Sequence, residues 1–429
     1  MKHQDRIFLE QAIELARSGI GRTAPNPSVG CIITVDTATD LSTIPDSRLN
    51  LSKLFSKQDI IASARTGDGG VPHAEVAALS QAENRSEGAT LYCSLEPCCH
   101  HGKTPPCVQA IIKNSIKRVV IGAIDPDPRV SGKGIECLRA GGVEVEVATN
   151  HLNDKAQFAI KGFISKISIG RPYTTLKLAM SLDGKIALSD GQSKWITSAE
   201  QRKKGHIMRS QNDAILVGIG TVLADDPMLN CRVEENRYDG NTSNQERLNQ
   251  NDAPHKIVRV IIDTNLRLPL TSKICASTDR YLTIVFCCNR VDQLKEQHSL
   301  ASHSREEYDA FIARRLILEK EGVLIEYCPL NCDMVEEWAS CNGYKQQNFK
   351  TRIGLDLDHV VRTLANKYGI NDLLVEGGSK IATSMIRDKL IDRIVCFQAP
   401  IILGNDAIAG IGDLGITDLN DAVMIDEIM

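Results

Sequence analysis

No excess of positive charge marks this 429-residue chain: 50 lysines and arginines face 54 aspartates and glutamates, a formal net charge of −4. Duplex nucleic acid needs a basic footprint and is excluded as the expected partner, although a few converging arginines suffice for a small anion. No apolar run approaches a membrane span, and Met1-Lys-His-Gln-Asp-Arg-Ile-Phe8 contains no signal-peptide core. The 14 cysteines lack regular disulfide spacing, so they are expected as free thiols in a reducing cytoplasm. The two halves show no internal repeat. There is also no Gly-x-Gly-x-x-Gly followed by an acidic ribose reader, which argues against an ordinary Rossmann dinucleotide fold.

The length calls for two or more domains. Apolar residues recur at helical spacing over Ile7–Ala16, and Val29–Thr34 reads as a strand. A helix at His73, a strand at Leu91–Leu95, a helix from Cys107 and strands at Arg118–Ile121 and Val143–Val147 complete an α/β layered domain over residues 1–149. Residues 150–170 read as a connecting helix. A second α/β series fills residues 171–429, with strands at Tyr173–Ala179, Asp213–Val217, Ile257–Ile262, Tyr281–Phe286, Gly322–Ile325, Leu373–Val375 and Arg393–Phe397. Asp36–Asp68, Glu234–Pro254 and Asn331–Thr351 read as insertions, which cost a compact fold little.

The chemistry concentrates in the first half. His73-Ala-Glu75 is answered by Pro97-Cys98 and by Cys107. One imidazole and two thiolates make a tetrahedral zinc site with one open position, and a carboxylate two residues from the imidazole is placed to move protons there. Zinc so held activates water near neutral pH, which points to hydrolytic deamination. The Cys98-x8-Cys107 separation is wider than the Cys-x-x-Cys usual in zinc deaminases. Cys99, His100 and His101 crowd the same loop as alternative ligands, and a purely structural zinc site or a set of buried thiols is the plainer reading.

In the second half, Asp183-Gly184 is a tight-turn pair, and Glu376-Gly-Gly378-Ser379 joins a strand to a helix. Glycines at such a turn let backbone N–H groups approach a phosphate, which suggests a nucleotide cofactor. Arg209 and Arg232 read either as solvated side chains or as a guanidinium fork for a sugar phosphate.

Together these motifs resemble the bifunctional riboflavin-biosynthesis deaminase/reductase family. The resemblance rests on Thr23-Ala-Pro-Asn-Pro-Ser-Val-Gly-Cys31, His73-Ala-Glu75, Leu95-Glu-Pro-Cys98, His101-Gly-Lys-Thr-Pro-Pro-Cys107, Asp125-Pro126, Ser181-Leu-Asp-Gly184, Ser193-Lys-Trp-Ile-Thr197, Asp213–Gly218, Thr221–Pro227 and Glu376-Gly-Gly378. It implies a cytidine-deaminase-like domain followed by a dihydrofolate-reductase-like domain. The first would remove the 2-amino group of 2,5-diamino-6-(5-phosphoribosylamino)pyrimidin-4-one, and the second would use NADPH to reduce the ribosyl group to ribityl. By the same resemblance His73, Cys98 and Cys107 bind Zn2+, Glu75 shuttles the proton and Asn26 contacts substrate. Ala179, Trp195, Thr221, Asp225 and the run Gly378, Ser379, Lys380, Ile381, Ala382, Thr383, Ser384 match cofactor positions. Ser193, Arg209, Leu229, Arg232 and Glu376 match substrate positions. Lys177, with Asp225, is a candidate to assist protonation as the sugar opens and accepts hydride.

Three departures stand out. The family usually has a short hairpin where this chain has Asp36–Asp68. Asp127 replaces the usual Asn, and a carboxylate cannot donate the hydrogen bond an amide can. The sequence ends at Ile428-Met429, ahead of the family's final strand. Two other readings stay open: a reductase with a compromised deaminase pocket, and a zinc-ordered module that binds a nucleotide without turning it over. The expected partner is a small pyrimidine ribotide, and the sequence leaves open whether the chain forms a homo-oligomer.

Overall fold

A computed structural model of the chain describes residues 1–35, 60–102, 104–149, 151–193, 196–232, 257–288, 302–331 and 354–424. Most of each expected insertion, together with Lys103, Trp195 and the last five residues, lies outside the described residues. The chain divides into two compact units, Met1–Arg171 and Pro172–Met429.

In the first unit, α1 (His3–Ser18) lays Phe8, Leu9, Ala12 and Ile13 on a five-stranded sheet. The strands are β1 (Gly30–Thr34), β2 (Ile60–Arg65), β3 (Thr90–Leu95), β4 (Arg118–Ala123) and β5 (Glu144–Val147), in the order β2-β1-β3-β4-β5. β1 runs antiparallel to both its neighbours, whereas β3, β4 and β5 are mutually parallel. Strand β2 falls within the stretch read as an insertion. Its inward positions are Ala62 and Ala64, and such small side chains leave little apolar alternation to read. The helices α2 (Ala74–Ala82), α3 (Cys107–Lys113) and α4 (Lys133–Ala140) follow β2, β3 and β4.

The stretch read as one connecting helix is two, α5 (His151–Ala159) and α6 (Lys161–Ile169), divided at Ile160. Leu152, Ala156 and Ile160 belong to the first unit's core, so these helices are part of that unit's packing.

The second unit is built on β6 (Tyr173–Met180), β7 (Lys185–Ala187), α7 (Ala199–Ser210), β8 (Ala214–Gly218), α8 (Ile219–Asp225), β9 (Val258–Ile262), β10 (Thr283–Cys288), α9 (Ser302–Lys320) and β11 (Leu324–Cys328). After the short pair β12 (Leu330–Asn331) and β13 (Gly354–Leu355) come α10 (Leu357–Tyr368), β14 (Asp372–Val375), α11 (Ser379–Arg387), β15 (Arg393–Gln398) and β16 (Ile408–Ala409). Seven strands pair in parallel in the order β11-β10-β9-β8-β14-β6-β15. Both faces are covered, as the unbroken apolar runs of β8 and β10 require. Ala214 and Leu216 face the core shared with α10 and α11. Ile215 and Val217 face the core shared with α8 and α9.

That arrangement makes a crevice. The neighbouring strands β8 and β14 send their helices α8 and α11 to opposite faces of the sheet and in opposite directions along it. Ligands of open α/β sheets bind at such a reversal, outside the carboxyl ends of the strands.

Candidate active sites

In the first unit the sheet delivers three ligand atoms to one point. His73 caps the N-terminus of α2, Cys98 follows β3, and Cys107 is the first residue of α3. His73 Nδ1 stands 3.3 Å from Cys107 Sγ and 3.6 Å from Cys98 Sγ, and the three ligand atoms lie within 4.8 Å of one another. Tetrahedral zinc, with Zn–N of about 2.0–2.1 Å and Zn–S of about 2.3 Å, needs N···S edges of roughly 3.5 Å. The cluster therefore fits zinc without rearrangement. Of the alternative ligands, Cys99 turns its thiol to the Arg129 carbonyl at 3.6 Å, and neither His100 nor His101 joins the cluster.

The electrostatics agree with a metal centre. The thiol of Cys107 hydrogen-bonds Cys98 and, with His73, holds Cys98 down at about 4. The hydrogen bond to Cys98, together with burial, pushes Cys107 up, so the two sulfurs share a proton that a divalent cation would displace. Glu75, on the first turn of α2, is only 4% exposed. Burial and the Cys98 charge lift its carboxyl to about 7.

Neighbouring loops set the pocket wall. Asn26 Nδ2 donates to the Gly70 carbonyl at 2.9 Å, and Lys166 of α6 holds the Pro25 carbonyl at 2.6 Å. Gly70 has φ +91°, and a Cβ there would stand 2.9 Å from the Asn26 side chain, so glycine is required for this contact. Glu96 accepts from the main-chain N–H groups of Asp125, Gly132 and Ile135, which fastens the loop after β4 to the cysteine loop. Burial raises Asp125 to about 7. Asp127, the residue that departs from the family's Asn, is gripped by Arg129 through Nε at 3.0 Å and Nη2 at 2.5 Å, so its charge is locally neutralised.

The second site gathers at the carboxyl ends of β14 and β6. Glu376 follows β14 and pairs with Arg209 of α7, Nε to Oε1 at 2.7 Å and Nη2 to Oε2 at 2.9 Å. Lys177 of β6 lies 3.7 Å from the same carboxylate. Burial opposes ionisation of Glu376, yet Arg209 and Lys177 hold its carboxyl down at about 2. Arg209 also donates to the Asn230 carbonyl at 3.0 Å, which brings in the segment carrying Leu229 and Arg232. His206 and Asn230 belong to no motif of their own, and Glu96 lies within Leu95-Glu-Pro-Cys98, a motif that does not reveal its hydrogen-bonding role. His206 does stand one helical turn before Arg209, which was the available signal.

At the crevice, Gly218 caps α8 and Gly378 caps α11. Cβ atoms on Gly218 and Gly377 would each come within 2.8 Å of Ile381, so both must be glycine for α11 to approach β8 this closely. Thr221 and Asp225 lie on α8, and Ser379, Lys380, Ile381, Ala382, Thr383 and Ser384 form the first two turns of α11. Ala179 lies on β6 opposite Phe397, and Ser193 lies between β7 and α7.

The folds and centres point to two enzyme units of different chemistry: one with a ligand cluster that fits zinc, the other an open α/β sheet with a crevice of the kind that takes a nucleotide. A family model for the cytidine and deoxycytidylate deaminase zinc-binding region matches residues 2–123, and one for the RibD C-terminal domain matches residues 172–424. The riboflavin biosynthesis protein RibD of Aquifex aeolicus is 34% identical over 421 residues, which is 98% of this chain and 93% of that protein. RibD of Escherichia coli is 32% identical over 405 residues, 94% of this chain and 90% of that one. Among solved structures, Acinetobacter baumannii RibD superposes with a TM-score of 0.70 at 32% identity, covering 98% of this chain and 93% of its own. The diaminohydroxyphosphoribosylaminopyrimidine deaminase/5-amino-6-(5-phosphoribosylamino)uracil reductase of Thermotoga maritima does so at 0.67 and 30%, with the same coverage. The chain belongs to the RibD family, the bifunctional deaminase/reductases of riboflavin biosynthesis. The expected pairing of a cytidine-deaminase-like unit with a reductase unit is what the molecule contains.

Proposed function

We propose that the chain deaminates 2,5-diamino-6-(5-phosphoribosylamino)pyrimidin-4-one in its first unit, and in its second reduces the ribosyl group of the product to ribityl with NADPH. The observation that carries this reading is Glu75, a buried carboxyl on the first turn beyond the His73, Cys98 and Cys107 cluster. A closed structural zinc site gives such a group no duty, which disfavours a module that only binds.

His73, Cys98 and Cys107 hold the zinc. Bound zinc supplies a water acidic enough to attack a ring carbon near neutral pH. Glu75, buried on the first turn of α2 beside the ligands, would take a proton at its carboxylate and return it to the departing ammonia. Asn26 orients the pyrimidine.

In the second unit the glycine turns at Gly218 and Gly377-Gly378 admit the cofactor phosphates, beside Thr221, Asp225 and α11. Ala179, on β6, would add a cofactor contact, and Trp195, outside the described residues, matches a cofactor position by the family resemblance alone. NADPH supplies the hydride. Ser193, Leu229, Arg232 and the Arg209–Glu376 pair hold the ribotide, and Lys177 with Asp225 assists protonation of the opened sugar. Arg232, which is exposed, is the guanidinium that meets the phosphate, while Arg209 spends its fork on Glu376. We place the protein in the cytoplasm, acting on a soluble ribotide.

Two half-reactions test this. Zinc-loaded protein should release ammonia from the diamino ribotide without NADPH, and should oxidise NADPH in preference to NADH when given the deaminated ribotide. Failure of the first with success of the second would leave a reductase alone.

A further inference from the structure

Residues 226–232 leave α8 as a strap under backbone strain: Asp226 has φ +39° and Leu229 φ +49°, neither a glycine. Such a conformation persists only where its surroundings over-determine it, and here the strap is held nearly residue by residue. The Lys273 N–H donates to Asp226 Oδ1 at 2.9 Å, Arg259 Nη1 to the Met228 carbonyl at 3.4 Å, and Arg209 Nη1 to the Asn230 carbonyl at 3.0 Å. Leu229 is only 2% exposed. The last two residues both attach to His206 of α7: Cys231 Sγ donates to its carbonyl at 3.4 Å, and the Arg232 N–H to its Nδ1 at 3.3 Å.

We propose that His206 is a positioning residue of the reductase site, whose Nδ1 fixes the strap so that Arg232 presents its guanidinium to the anionic group of the ribotide beside Arg209. This rests on the reductase reading above. Only an imidazole that is neutral and carries its proton on Nε2 can accept at Nδ1. Burial and two guanidiniums facing His206 favour that state, while the Asn230 carbonyl, which hydrogen-bonds the ring, favours the charged form. Arg209 lies one turn along its own helix, and Arg232 approaches from the strap. Glu376, from the end of β14, opposes them but is itself paired to Arg209. Burial together with the two guanidiniums holds the imidazole below its ordinary value. Protonation would set two donors against each other and release Arg232.

The test compares His206→Asn, whose Oδ1 can replace Nδ1 as an acceptor, with His206→Leu, which has none. NADPH oxidation is followed with the deaminated ribotide as substrate, and NADPH binding together with thermal unfolding of the second unit serves as the fold control. His206→Leu should raise the ribotide KM about tenfold, with kcat and the NADPH KM within about twofold, and His206→Asn should stay within about threefold of wild type. In the wild type the ribotide KM should rise as pH falls through the imidazole's range, beyond the rise caused by the substrate's own phosphate. In His206→Asn only the substrate's contribution should remain. An unchanged KM in His206→Leu, equal impairment of both variants, or identical pH profiles for wild type and His206→Asn would overturn the proposal. A wild-type protein that oxidises no NADPH with this ribotide would overturn the reductase reading itself, and the proposal with it.

Discussion

Arg209 and Glu376 are 167 residues apart in sequence and meet as a two-pronged ion pair, with hydrogen bonds of 2.7 and 2.9 Å. The pair anchors α7 to the end of β14, immediately before the glycines that open onto the crevice. A carboxylate this deeply buried persists only with its cations in place. If this is the ribotide site, as proposed, its geometry depends on a charge pair that is internal to the protein.

Removing one partner should be costly. Arg209→Met leaves Glu376 with Lys177 alone, and should destabilise the second unit by about 3–5 kcal/mol while abolishing NADPH oxidation. Ammonia release by the first unit should continue. Thermal unfolding with both half-reactions checks this, and retention of reductase stability would contradict it.

Cys107→Ser should reduce bound zinc from about one per chain to a small fraction, because two ligands cannot hold the ion as three do. Cys99→Ser should leave zinc content unchanged, since that thiol points to the Arg129 carbonyl. Metal analysis of the two purified variants decides the matter. Full zinc in Cys107→Ser would remove Cys107 from the ligand set.

Glu75→Gln keeps the ligands and loses the proton carrier. Zinc should stay bound, ammonia release should fall by about 10²–10⁴-fold, and NADPH oxidation with the deaminated ribotide should be untouched. Loss of zinc in this variant would mean that Glu75 supports the metal and does not serve the reaction.

Acid stability should follow Asp5. Burial opposes its ionisation, but Arg118 grips it through hydrogen bonds of 2.7 and 3.0 Å and holds its carboxyl below the ordinary value. A carboxyl depressed in the folded state stabilises above its unfolded value near 3.8, and the contribution is lost as pH falls through the folded one. Asp5→Asn should cost roughly 1.5–3 kcal/mol at neutral pH and lose less than wild type does between neutral and acid. Denaturant titrations across pH measure this, and parallel curves for the two proteins would contradict it.

Much of this was legible in the sequence, for identifiable reasons. The clustered His73, Cys98 and Cys107 and the buried Glu75 sit on short motifs at element boundaries, and strands such as β8 and β10 are apolar throughout because both faces are covered. Strand β2 was not legible, since its inward residues are alanines. Nor was the role of Glu96, whose carboxylate serves three main-chain N–H groups from 29 to 39 residues downstream. His206 escaped for the same kind of reason: its partner Arg232 lies 26 residues away on a strained strap. Contacts made by long-range main-chain groups leave no spacing to count. Asp127 showed the converse, an obvious departure in sequence that Arg129, two residues on, absorbs locally.

On the proposed reading, both centres act in turn on one ribotide. Zinc-loaded protein should be given 2,5-diamino-6-(5-phosphoribosylamino)pyrimidin-4-one with NADPH, and the products identified by mass spectrometry. The deaminated ribityl compound should form, with the deaminated ribosyl compound accumulating when NADPH is withheld. Recovery of unchanged diamino ribotide, or of a reduced product that still carries its 2-amino group, would contradict it.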